Sequence, residues 1–327
     1  MKIAASFITL LFSLFWVPSL LAAPYKVLVV MSYEEDFHWS KSIKVGIESA
    51  LLTHADLTFF YMDTKVNRSG GPEKAKEAFE VYKAIQPDGV ITIDDNAQSM
   101  FVLPYLKGKV STPIMFAGVN AEPSVYGFPN KHISGVLERG HIRESIAFLK
   151  QLMPDVNSVG FLVKDSASGK AVISQVALEK EAYPALSCGI KYVKNDVDVD
   201  TASAELEKLC DAVYIDGAAG INKSGGGTFT YTELFSRVDK QFSGPIIGAN
   251  RHHVESGAFS AVIKTGYEQG ETSARMLLKA MQGTPLAELP ITRNYRGRRV
   301  LSALALKKFN ISPRPVLLKG VELIRGL

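Results

Sequence analysis

Two hydrophobic patterns alternate along the first half of the chain. Short runs that are apolar throughout are typical of strands buried on both faces, and between them apolar residues recur every three or four positions, as on one helix face. The first such stretch carries Trp39, Ile43, Ile47 and Leu51, which predicts a helix packed on a sheet. This alternation predicts an α/β fold with a parallel sheet covered on both sides. The predicted strands of this half are 26–31, 57–62, 89–93 and 113–119.

The second half repeats the order of the first. A strand at 133–137 leads into a helix that carries Ile142, Ile146 and Leu149 and is stopped by Pro154. The string TPIMFAGVN at 112–120 is echoed by GPIIGAN at 244–250. Two halves of this kind predict two doubly wound parallel-sheet lobes that face one another. The predicted strands of the second lobe are 159–163, 190–193, 212–215, 245–248 and 259–263.

Length and charge limit the classes of function. The 327 residues suit two lobes, and 46% apolar with 21% charged residues is typical of a globular protein. The net charge of +4 is small, and no run of Lys and Arg exceeds two residues. We therefore expect no nucleic-acid partner.

The amino terminus has the order of a secretory signal peptide. Lys2 precedes a mainly apolar stretch at 3–21, and Ala22 and Ala23 stand before Pro24. We predict a signal peptide over 1–23, cleaved after one of these alanines, and a periplasmic mature protein. An uncleaved membrane anchor is the alternative.

The chain has two cysteines, Cys188 and Cys210, each two residues before a predicted strand. In an oxidising compartment they could pair. Consecutive strands of a doubly wound sheet are usually separated by a third, which would hold the two sulfur atoms too far apart. We expect two buried thiols, with a disulfide as the alternative.

Several segments resemble a known family. GAFSA at 257–261 and GYEQG at 266–270, followed by a helix that ends near Gly283, resemble the signature of periplasmic substrate-binding proteins of the tryptophan/tyrosine-type ABC transporters. The resemblance covers nearly all of the mature chain and implies a type I periplasmic binding protein fold, whose lobes are joined by a multi-strand hinge. Further matches, in the same order, are Ser32-Tyr33 with Trp39, YMDTK at 61–65 and ISGV at 133–136.

The resemblance also implies where the chain crosses between lobes. The first lobe would comprise 24–138 and about 266–287, and the second 139–265 and about 288–327. Such a hinge implies closure around a ligand. The elements expected in the tail, all in the second lobe, are a strand at 291–296, an amphipathic stretch at 302–309 and a strand around 316–318.

Ligands of α/β proteins bind beyond the carboxyl ends of strands, so the residues there form the candidate site. Ser32 and Tyr33 follow the first strand and could donate hydrogen bonds, and an aromatic ring there could stack on an apolar ligand. Alternatively, Tyr33 and Trp39 cover the edge of the sheet.

The third strand ends in Asp94, Asp95 and Asn96. A carboxylate here could hold a ligand ammonium group, cap the helix that follows, or act as an acid or base. A metal site is not expected, because no other Asp, Glu or His is placed to complete a coordination shell.

Asn120 and Asn250 occupy matched positions in the two halves, and an amide can bind either a carboxylate or an ammonium group. Arg251 could bind a carboxylate or pair with Glu255, and Glu138 lies at the first crossing. The remaining candidates, which could equally form a hydrated rim, are Lys164, Asp165, Ser166, Asp216 and Gly217.

Two further motifs are incomplete. GAAGINKS at 217–224 has Asn222 where a phosphate-binding loop requires its second glycine, and three glycines follow instead of a helix. We predict that 217–229 forms a flexible loop or lid, longer than the family's usual connection. His252 and His253 are adjacent and lack a nearby third ligand, so we expect surface histidines rather than zinc.

The resemblance implies an exported binding protein that closes on a small ligand and delivers it to an ABC importer. The ligand would be an amino acid or a small organic anion, with neither catalysis nor a cofactor required. We expect a monomer with an ABC permease, or another inner-membrane receptor, as its partner. The alternatives are a ligand-sensing subunit of a receptor kinase or cyclase, which would use the same lobes, and an enzyme that uses Asp94 or Asp95.

Overall fold

The computed structural model describes residues 24–326 and forms two α/β lobes. The signal peptide expected at 1–23 lies outside the described residues. In the first lobe the strands are β1 (Tyr25–Met31), β2 (Ala55–Tyr61), β3 (Gly89–Ile93), β4 (Ile114–Val119), β5 (Ile133–Leu137) and β11 (Thr292–Arg293). Its helices are α1 (His38–Leu51), α2 (Gly71–Ile85), α3 (Asp94–Ala97), which continues as a π-helix over Gln98–Leu106, and α9 (Gly266–Met281).

The second lobe contains the elements between β5 and α9 and those after β11. Its strands are β6 (Ser158–Lys164), β7 (Leu186–Val193), β8 (Ala212–Ile215), β9 (Ile246–Gly248), β10 (Ser260–Ile263), β12 (Arg298–Ser302) and β13 (Val321–Ile324). Its helices are α4 (Ile142–Leu152), α5 (Ala167–Glu179), α6 (Asp196–Glu207), α7 (Tyr231–Asp239), α8 (Arg251–Glu255), α10 (Ala303–Lys308) and α11 (Pro315–Leu318).

The two sheets have related strand orders. The first is β11-β5-β4-β3-β1-β2 and is parallel, and the second is β13-β12-β10-β9-β8-β6-β7, with only the β10–β12 pair antiparallel. The apolar runs that predicted the central strands are buried on both faces: Val27 to Met31, for example, have no exposed surface. The predicted α/β class with two doubly wound lobes is confirmed. Among residues 24–326, no helix has both the length and the hydropathy needed to cross a bilayer.

The chain crosses between the lobes three times, at 138–141, 264–265 and 294–297. Glu268 of α9 fixes the third crossing, because its carboxylate accepts the backbone N–H groups of Tyr295, Arg296 and Gly297 at 2.6, 2.7 and 2.9 Å. Gln269 accepts the N–H of Gly118 at 2.9 Å and donates to the carbonyl of Leu137 at 3.2 Å. The GYEQG segment therefore ties α9 to the hinge.

The glycines of α9 and α1 allow these two helices to pack backbone to backbone. A Cβ on Gly46 would lie 2.1 Å from the carbonyl oxygen of Tyr267, and one on Gly270 would lie 2.2 Å from that of Ile43. No other residue fits at such a distance, since real Cβ atoms do not approach backbone this closely. The first lobe is thus completed by a helix that follows most of the second lobe in sequence.

The tail differs from its sequence-based interpretation. The strand expected to return to the second lobe is only Thr292–Arg293, and it pairs with β5 of the first sheet. A hydrogen bond of 2.5 Å from the Ser134 hydroxyl to the carbonyl of Leu289 holds the preceding segment there. The expected strand around 316–318 is the short helix α11, which begins at Pro315, and the last strand is β13.

The two cysteines form a disulfide, so the expectation of two free thiols is wrong. Strands β7 and β8 are indeed separated by β6, but α6 carries the chain from β7 back over β6, and Cys210 follows α6 before β8 begins. Cys188 and Cys210 come within 5.8 Å between Cα atoms. Gly160 of β6 leaves the space, because a Cβ there would lie 3.0 Å from the sulfur of Cys210.

Candidate functional site

The carboxyl ends of the two parallel sheets meet at a cavity between the lobes. Its volume is about 420 Å³, and side chains that directly follow strands of both lobes line it. Asn120 and Glu138 follow β4 and β5, and Asp216 and Lys264 follow β8 and β10. The backbone of a parallel sheet dictates this convergence, because all its carboxyl ends lie on one edge. One wall is formed by α5.

Asp94 is the most deeply buried of the strand-end carboxylates. It is 3% exposed, and its Oδ1 accepts the indole N–H of Trp39 at 3.1 Å. Its Oδ2 is buried without a hydrogen-bond partner among the described residues. Burial, and after it the nearby charge of Glu138, raises the pKa of Asp94 well above its usual range. An uncompensated acceptor of this kind is costly unless a donor reaches it.

Asp95 supports the site rather than facing it. Its two oxygens accept the backbone N–H groups of Asn120 and Ala121 at 3.0 and 3.2 Å and the hydroxyl of Tyr126 at 2.7 Å. The carboxylate therefore fixes the turn that follows β4. Among the roles considered from the sequence, hydrogen bonding to backbone is the one present, although the capped segment is this turn and not α3.

Ser32 also belongs to the interior of the first lobe. Its hydroxyl donates to the carbonyl of Ile93 at 2.5 Å and accepts the N–H of Ala97 at 2.8 Å, and the residue has no exposed surface. The expectation that Ser32 donates to a ligand is therefore wrong. Asn96 donates to the Thr64 hydroxyl at 2.8 Å, which leaves its amide oxygen uncommitted.

Tyr33 follows β1 and lies in an aromatic patch at the carboxyl edge of the first sheet. Its ring packs edge-on against Phe37 with 5.6 Å between centroids, and the ammonium of Lys65 stands 5.0 Å from the Tyr33 ring. Burial, with smaller contributions from Asp94 and other carboxylates, raises the pKa of Tyr33 to about 12. The hydroxyl is thus a neutral donor at physiological pH. Trp39 is partly buried beneath this patch and positions Asp94.

Glu138 and Lys264 join two of the three crossings. Their side chains form an ion pair of 2.6 Å, and the amide of Asn120 donates to Glu138 at 3.3 Å. Arg139 binds the carbonyls of Val119 and Asn120 and pairs with Glu122 at 2.9 Å. These contacts hold the hinge end of the cavity.

Asp216 follows β8 in the second lobe. Its Oδ1 accepts the N–H of Gly217 at 2.8 Å, and burial raises its pKa. Gly217 has φ +57°, and a Cβ there would lie 3.0 Å from the Cα of Gly169, so only glycine fits. The close contact places the amino end of α5 directly beside Asp216.

Three other candidates of the second lobe are engaged in local contacts. Lys164 donates to the carbonyl of Gly220, and Ser166 caps α5 by accepting the N–H of Gly169 at 3.3 Å. Asp165 pairs with Lys170 and Lys194, each at 3.4 Å.

Two candidates, Asn250 and Arg251, lie in the segment after β9 and differ in their contacts. Asn250 precedes α8 and makes no side-chain capping bond. Arg251 forms ion pairs with Glu255 and Glu322, so it is bound at the edge of the second lobe. Of the roles considered for Arg251, pairing is the one present.

The two histidines differ in burial, which corrects the expectation that both lie on the surface. His252 is exposed, whereas His253 has no exposed surface and its Nδ1 accepts the N–H of Ala249 at 3.1 Å. Its ring packs 4.3 Å from that of Tyr231. Burial lowers the pKa of His253 to about 3, so the ring is neutral. Within residues 24–326, no group of His, Cys, Asp and Glu side chains could hold a metal ion.

The glycine-rich loop at 217–229 runs across the ends of β6 and β7. The N–H of Asn222 donates to the carbonyl of Lys194 at 3.2 Å, and that of Ser224 donates to Asp196, also at 3.2 Å. The loop thus has fixed ends and an open tip at Gly225–Gly227, where no atoms surround the glycines. It follows β8 without a directly attached helix, so it lacks the geometry of a phosphate-binding loop.

Sequence reasoning missed Lys264, Arg139, Phe37 and Lys65. Lys264 directly follows β10, so the strand-end rule that selected Asn250 would have selected it too. Arg139 is adjacent to Glu138 at the first crossing. Phe37 and Lys65 had no comparable signal, because their proximity to Tyr33 depends on how two separate loops fold.

Comparisons with known proteins identify the family and the fold to which this architecture corresponds. A family model described as ABC transporter substrate binding protein matches residues 68–322. The ligand-free, open structure of a substrate-binding protein with adhesive properties from Clostridium difficile covers 93% of this chain and 100% of its own, with 14% identity and a TM-score of 0.66. None of the curated proteins matches the chain significantly.

Two further solved structures are similar. The ABC domain in complex with L-Trp from Streptococcus pneumonia covers 92% of this chain and 100% of its own, with 18% identity and a TM-score of 0.50. An ABC-type branched-chain amino acid transporter structure from Rhodopseudomonas palustris covers 79% of this chain and 80% of its own, with 12% identity and a TM-score of 0.57. At sequence identities this low, the structural likeness establishes the fold and nothing further.

Proposed function

Because the chain belongs to the family of ABC transporter substrate-binding proteins, we propose that it is an exported protein that closes around an amino acid and delivers it to an ABC importer. Proteins of this family bind solutes without transforming them. The partners would be the ligand and the importer's permease, with the binding protein acting as a monomer. Export to the periplasm is supported by the disulfide between Cys188 and Cys210, since such bonds persist in oxidising compartments.

The observation that carries this proposal is the convergence of strand-end side chains from both lobes on one cavity beside a three-segment hinge. Asn120 and Glu138 approach the cavity from the first lobe, and Asp216 and Lys264 approach it from the second lobe. A ligand that contacts both lobes binds the closed form better than the open one and so shifts the population towards closure.

An amino acid suits the groups along this edge. Asp94 offers an unpartnered acceptor for an ammonium group, and Tyr33 with Phe37 offers aromatic surface for an apolar side chain. Lys65, which stands over both rings, is a cation that could receive a carboxylate. A small organic anion is the alternative ligand class, and the L-Trp complex of the streptococcal relative favours the amino acid.

A thermal-shift screen of the purified protein against the twenty amino acids and a set of small organic anions tests the proposal. A ligand present at 100 times its Kd stabilises the folded state by about 2.7 kcal/mol, which corresponds to roughly 5 °C in a protein of this size. Tyr33→Ala should reduce that shift. Tyr192→Ala, on the exposed outer strand β7, is the matched control and should leave it unchanged. Absence of any shift, or a shift that survives Tyr33→Ala, contradicts the proposed site.

A further inference from the structure

His141 is a buried side chain of the hinge that the proposed function does not use. It ends the first crossing, just before α4, and it is 2% exposed. Its Nδ1 lies 3.3 Å from Oε2 of Glu144 on α4, and its Nε2 lies 2.8 Å from the side-chain nitrogen of Asn294 in the third crossing. The ring also lies against Gly297, where a Cβ would approach Nε2 to 2.8 Å. The imidazole therefore links the first crossing to the third.

Four hydrogen bonds fix the orientation of the Asn294 amide. Its Oδ1 accepts the backbone N–H of Arg139 at 2.8 Å and the side-chain amide of Gln269 at 3.2 Å. Its Nδ2 donates to the carbonyl of Arg139 at 2.9 Å and faces His141 at 2.8 Å. A backbone N–H donates and a backbone carbonyl accepts, so the amide cannot be turned over without losing both bonds to Arg139. The group that Asn294 presents to the imidazole is therefore a donor.

This donor determines the tautomer of His141. A ring nitrogen that accepts a hydrogen bond carries no proton, so the neutral ring carries its proton on Nδ1 and donates it to Glu144. Glu144 is suited to accept it: burial opposes ionisation, but hydrogen bonds, that from His141 foremost, and the charge of Arg293 lower the pKa of Glu144 to about 2. The hinge as described therefore requires a neutral His141.

Protonation of His141 is incompatible with the bond from Asn294. An imidazolium carries a proton on both nitrogens, so two donors would face each other at 2.8 Å. The nearest acceptor is Oε2 of Glu268, 3.8 Å from Nε2, which is about 1 Å longer than a charge-assisted hydrogen bond. That oxygen already accepts the N–H of Gly297 at 2.9 Å. The imidazolium and the third crossing would thus compete for one carboxylate oxygen.

The charges around the ring allow both protonation states. Glu144 on α4 and Glu268 on α9 favour the charged ring, whereas the donor of Asn294 favours the neutral one. Among the described residues, the other charged groups of the adjoining elements are ion-paired: Arg143 and Arg293 with Glu144, Arg296 with Glu271, Arg139 with Glu122, and Lys264 with Glu138. The α5 wall contributes a neutral group, Gln175, which binds the backbone of Gly140.

We propose that His141 is a proton-sensitive link in the hinge. In its neutral form it accepts from Asn294 and holds the third crossing to the first; when protonated it releases Asn294, turns to Glu268 and loosens the third crossing. Because the lobes move relative to one another about these crossings, acidification increases the freedom of the hinge. The inference goes beyond the proposed function, since it concerns the hinge and holds for any ligand that binds in the cleft between the lobes.

Nitrogen NMR of the ¹⁵N-labelled protein tests the tautomer. The signals of His141 are identified by their loss in His141→Gln. At about pH 7.5 we expect Nδ1 to show the chemical shift of a protonated imidazole nitrogen and Nε2 that of an unprotonated one. The opposite assignment, or a doubly protonated ring at this pH, overturns the inference.

Amide hydrogen exchange tests the release of the third crossing. The N–H groups of Arg139 and Gly297, bound to Asn294 and Glu268, are the reporters, and the N–H of Ala305, bound to the Ser302 hydroxyl in the second lobe, is the reference. From about pH 7.5 to about pH 5, after correction for intrinsic rates, we expect protection of the reporters to fall about 10-fold or more and that of the reference to stay constant.

Two matched variants show whether His141 causes this change. His141→Gln does not titrate, so its reporters should change by less than about 2-fold over the same pH range. His54→Gln, at an exposed position, should behave as the wild type. Protection that is independent of pH in the wild type, or that falls equally in His141→Gln, contradicts the proposed link.

Substitutions of Asn294 give a readout that does not depend on hinge stability. Asn294→Asp places an acceptor where the donor stands, so the NMR titration midpoint of His141 should rise by about one pH unit or more. Asn294→Ala only removes the donor and should raise the midpoint by less. A midpoint that stays at the wild-type value in both variants overturns the inference. None of these measurements requires a ligand, so their outcomes are independent of the proposed function.

Discussion

The indole N–H of Trp39 donates to Oδ1 of Asp94 at 3.1 Å, and through this bond α1 orients a carboxylate that is 3% exposed. No second side-chain donor reaches Asp94 within the described residues, so its orientation depends on one bond. The bond also opposes the rise in the pKa of Asp94 that burial causes.

We expect Trp39→Phe to weaken ligand binding about 10-fold and to lower the free energy of unfolding by about 1–3 kcal/mol, because both carboxylate oxygens are then buried without a donor. Titration calorimetry and urea denaturation measure the two effects. In an Asp94→Asn background the same substitution should have a smaller effect on binding. Fully additive effects would show that Trp39 acts independently of Asp94.

The ion pair between Glu138 and Lys264 joins the first and second crossings at 2.6 Å. Glu138 is the less exposed partner, at 12% of its side chain against 32% for Lys264. We expect Lys264→Gln to reduce the free energy of unfolding by roughly 1–2 kcal/mol, since it leaves a mostly buried carboxylate unpaired. Glu138→Gln with Lys264→Gln should recover part of this loss in urea denaturation. A double variant less stable than the sum of the single variants would contradict a direct pairing.

The buried neutral His253 predicts a specific loss of stability in mild acid. Burial, together with the charge of His252, lowers the pKa of His253 to about 3, while the unfolded residue titrates near 6.5. Below pH 6.5 the unfolded chain therefore binds a proton that the folded chain does not, so stability is present above pH 6.5 and is lost as the pH falls towards 3. By pH 4 the loss could reach about 3 kcal/mol.

Chemical denaturation between pH 7 and pH 4 measures this slope. His253→Gln, whose amide can still accept the N–H of Ala249, should flatten it. His54→Gln, at an exposed position in the first lobe, is the control and should retain the wild-type slope. An unchanged slope in the His253 variant would show that other groups cause the acid sensitivity.

The disulfide closes a segment of 22 residues that contains α6. We expect Cys188→Ala with Cys210→Ala to lower the free energy of unfolding by about 3 kcal/mol, because the open chain gains conformational freedom when unfolded. Reduction of the wild-type protein should cause a similar loss. Ligand affinity should persist in the variant, since the bond lies across β6 at the amino end of the strands, away from the cleft. A large drop in affinity without a drop in stability would contradict this separation.

Much of the fold could be predicted because its strands are buried on both faces. Burial makes β1, β3, β4 and β8 mainly apolar, and their ends were predicted within one residue. A strand was expected at 291–296, but its place beside β5 of the first sheet could not be recognised, since it depends on tertiary contacts such as the bond from Ser134 to Leu289. The disulfide was missed for a similar reason, as it depends on the path of α6 over Gly160.

The positions of the candidate residues in the fold could be predicted, but their contacts could not. The strand-end rule places Asp94, Asp95 and Asp216 on the correct edge, because this follows from parallel topology. Whether an oxygen is free depends on the neighbouring loops: those of Asp95 are engaged by the turn after β4, whereas Oδ2 of Asp94 has no donor. One segment of the resemblance, GYEQG, contains Glu268 and Gln269, which fix the hinge and carry no information about the ligand.

The close contact of α9 with α1 through Gly46 and Gly270 has a consequence for biogenesis. As the polypeptide emerges from the ribosome, residues 24–137 lack the helix that covers one face of their sheet until residue 281 has been synthesised. The first lobe is therefore completed only after the elements from α4 to β10 of the second lobe have been made. If the chain is exported as we propose, this late completion favours the incompletely folded state that a translocation channel accepts.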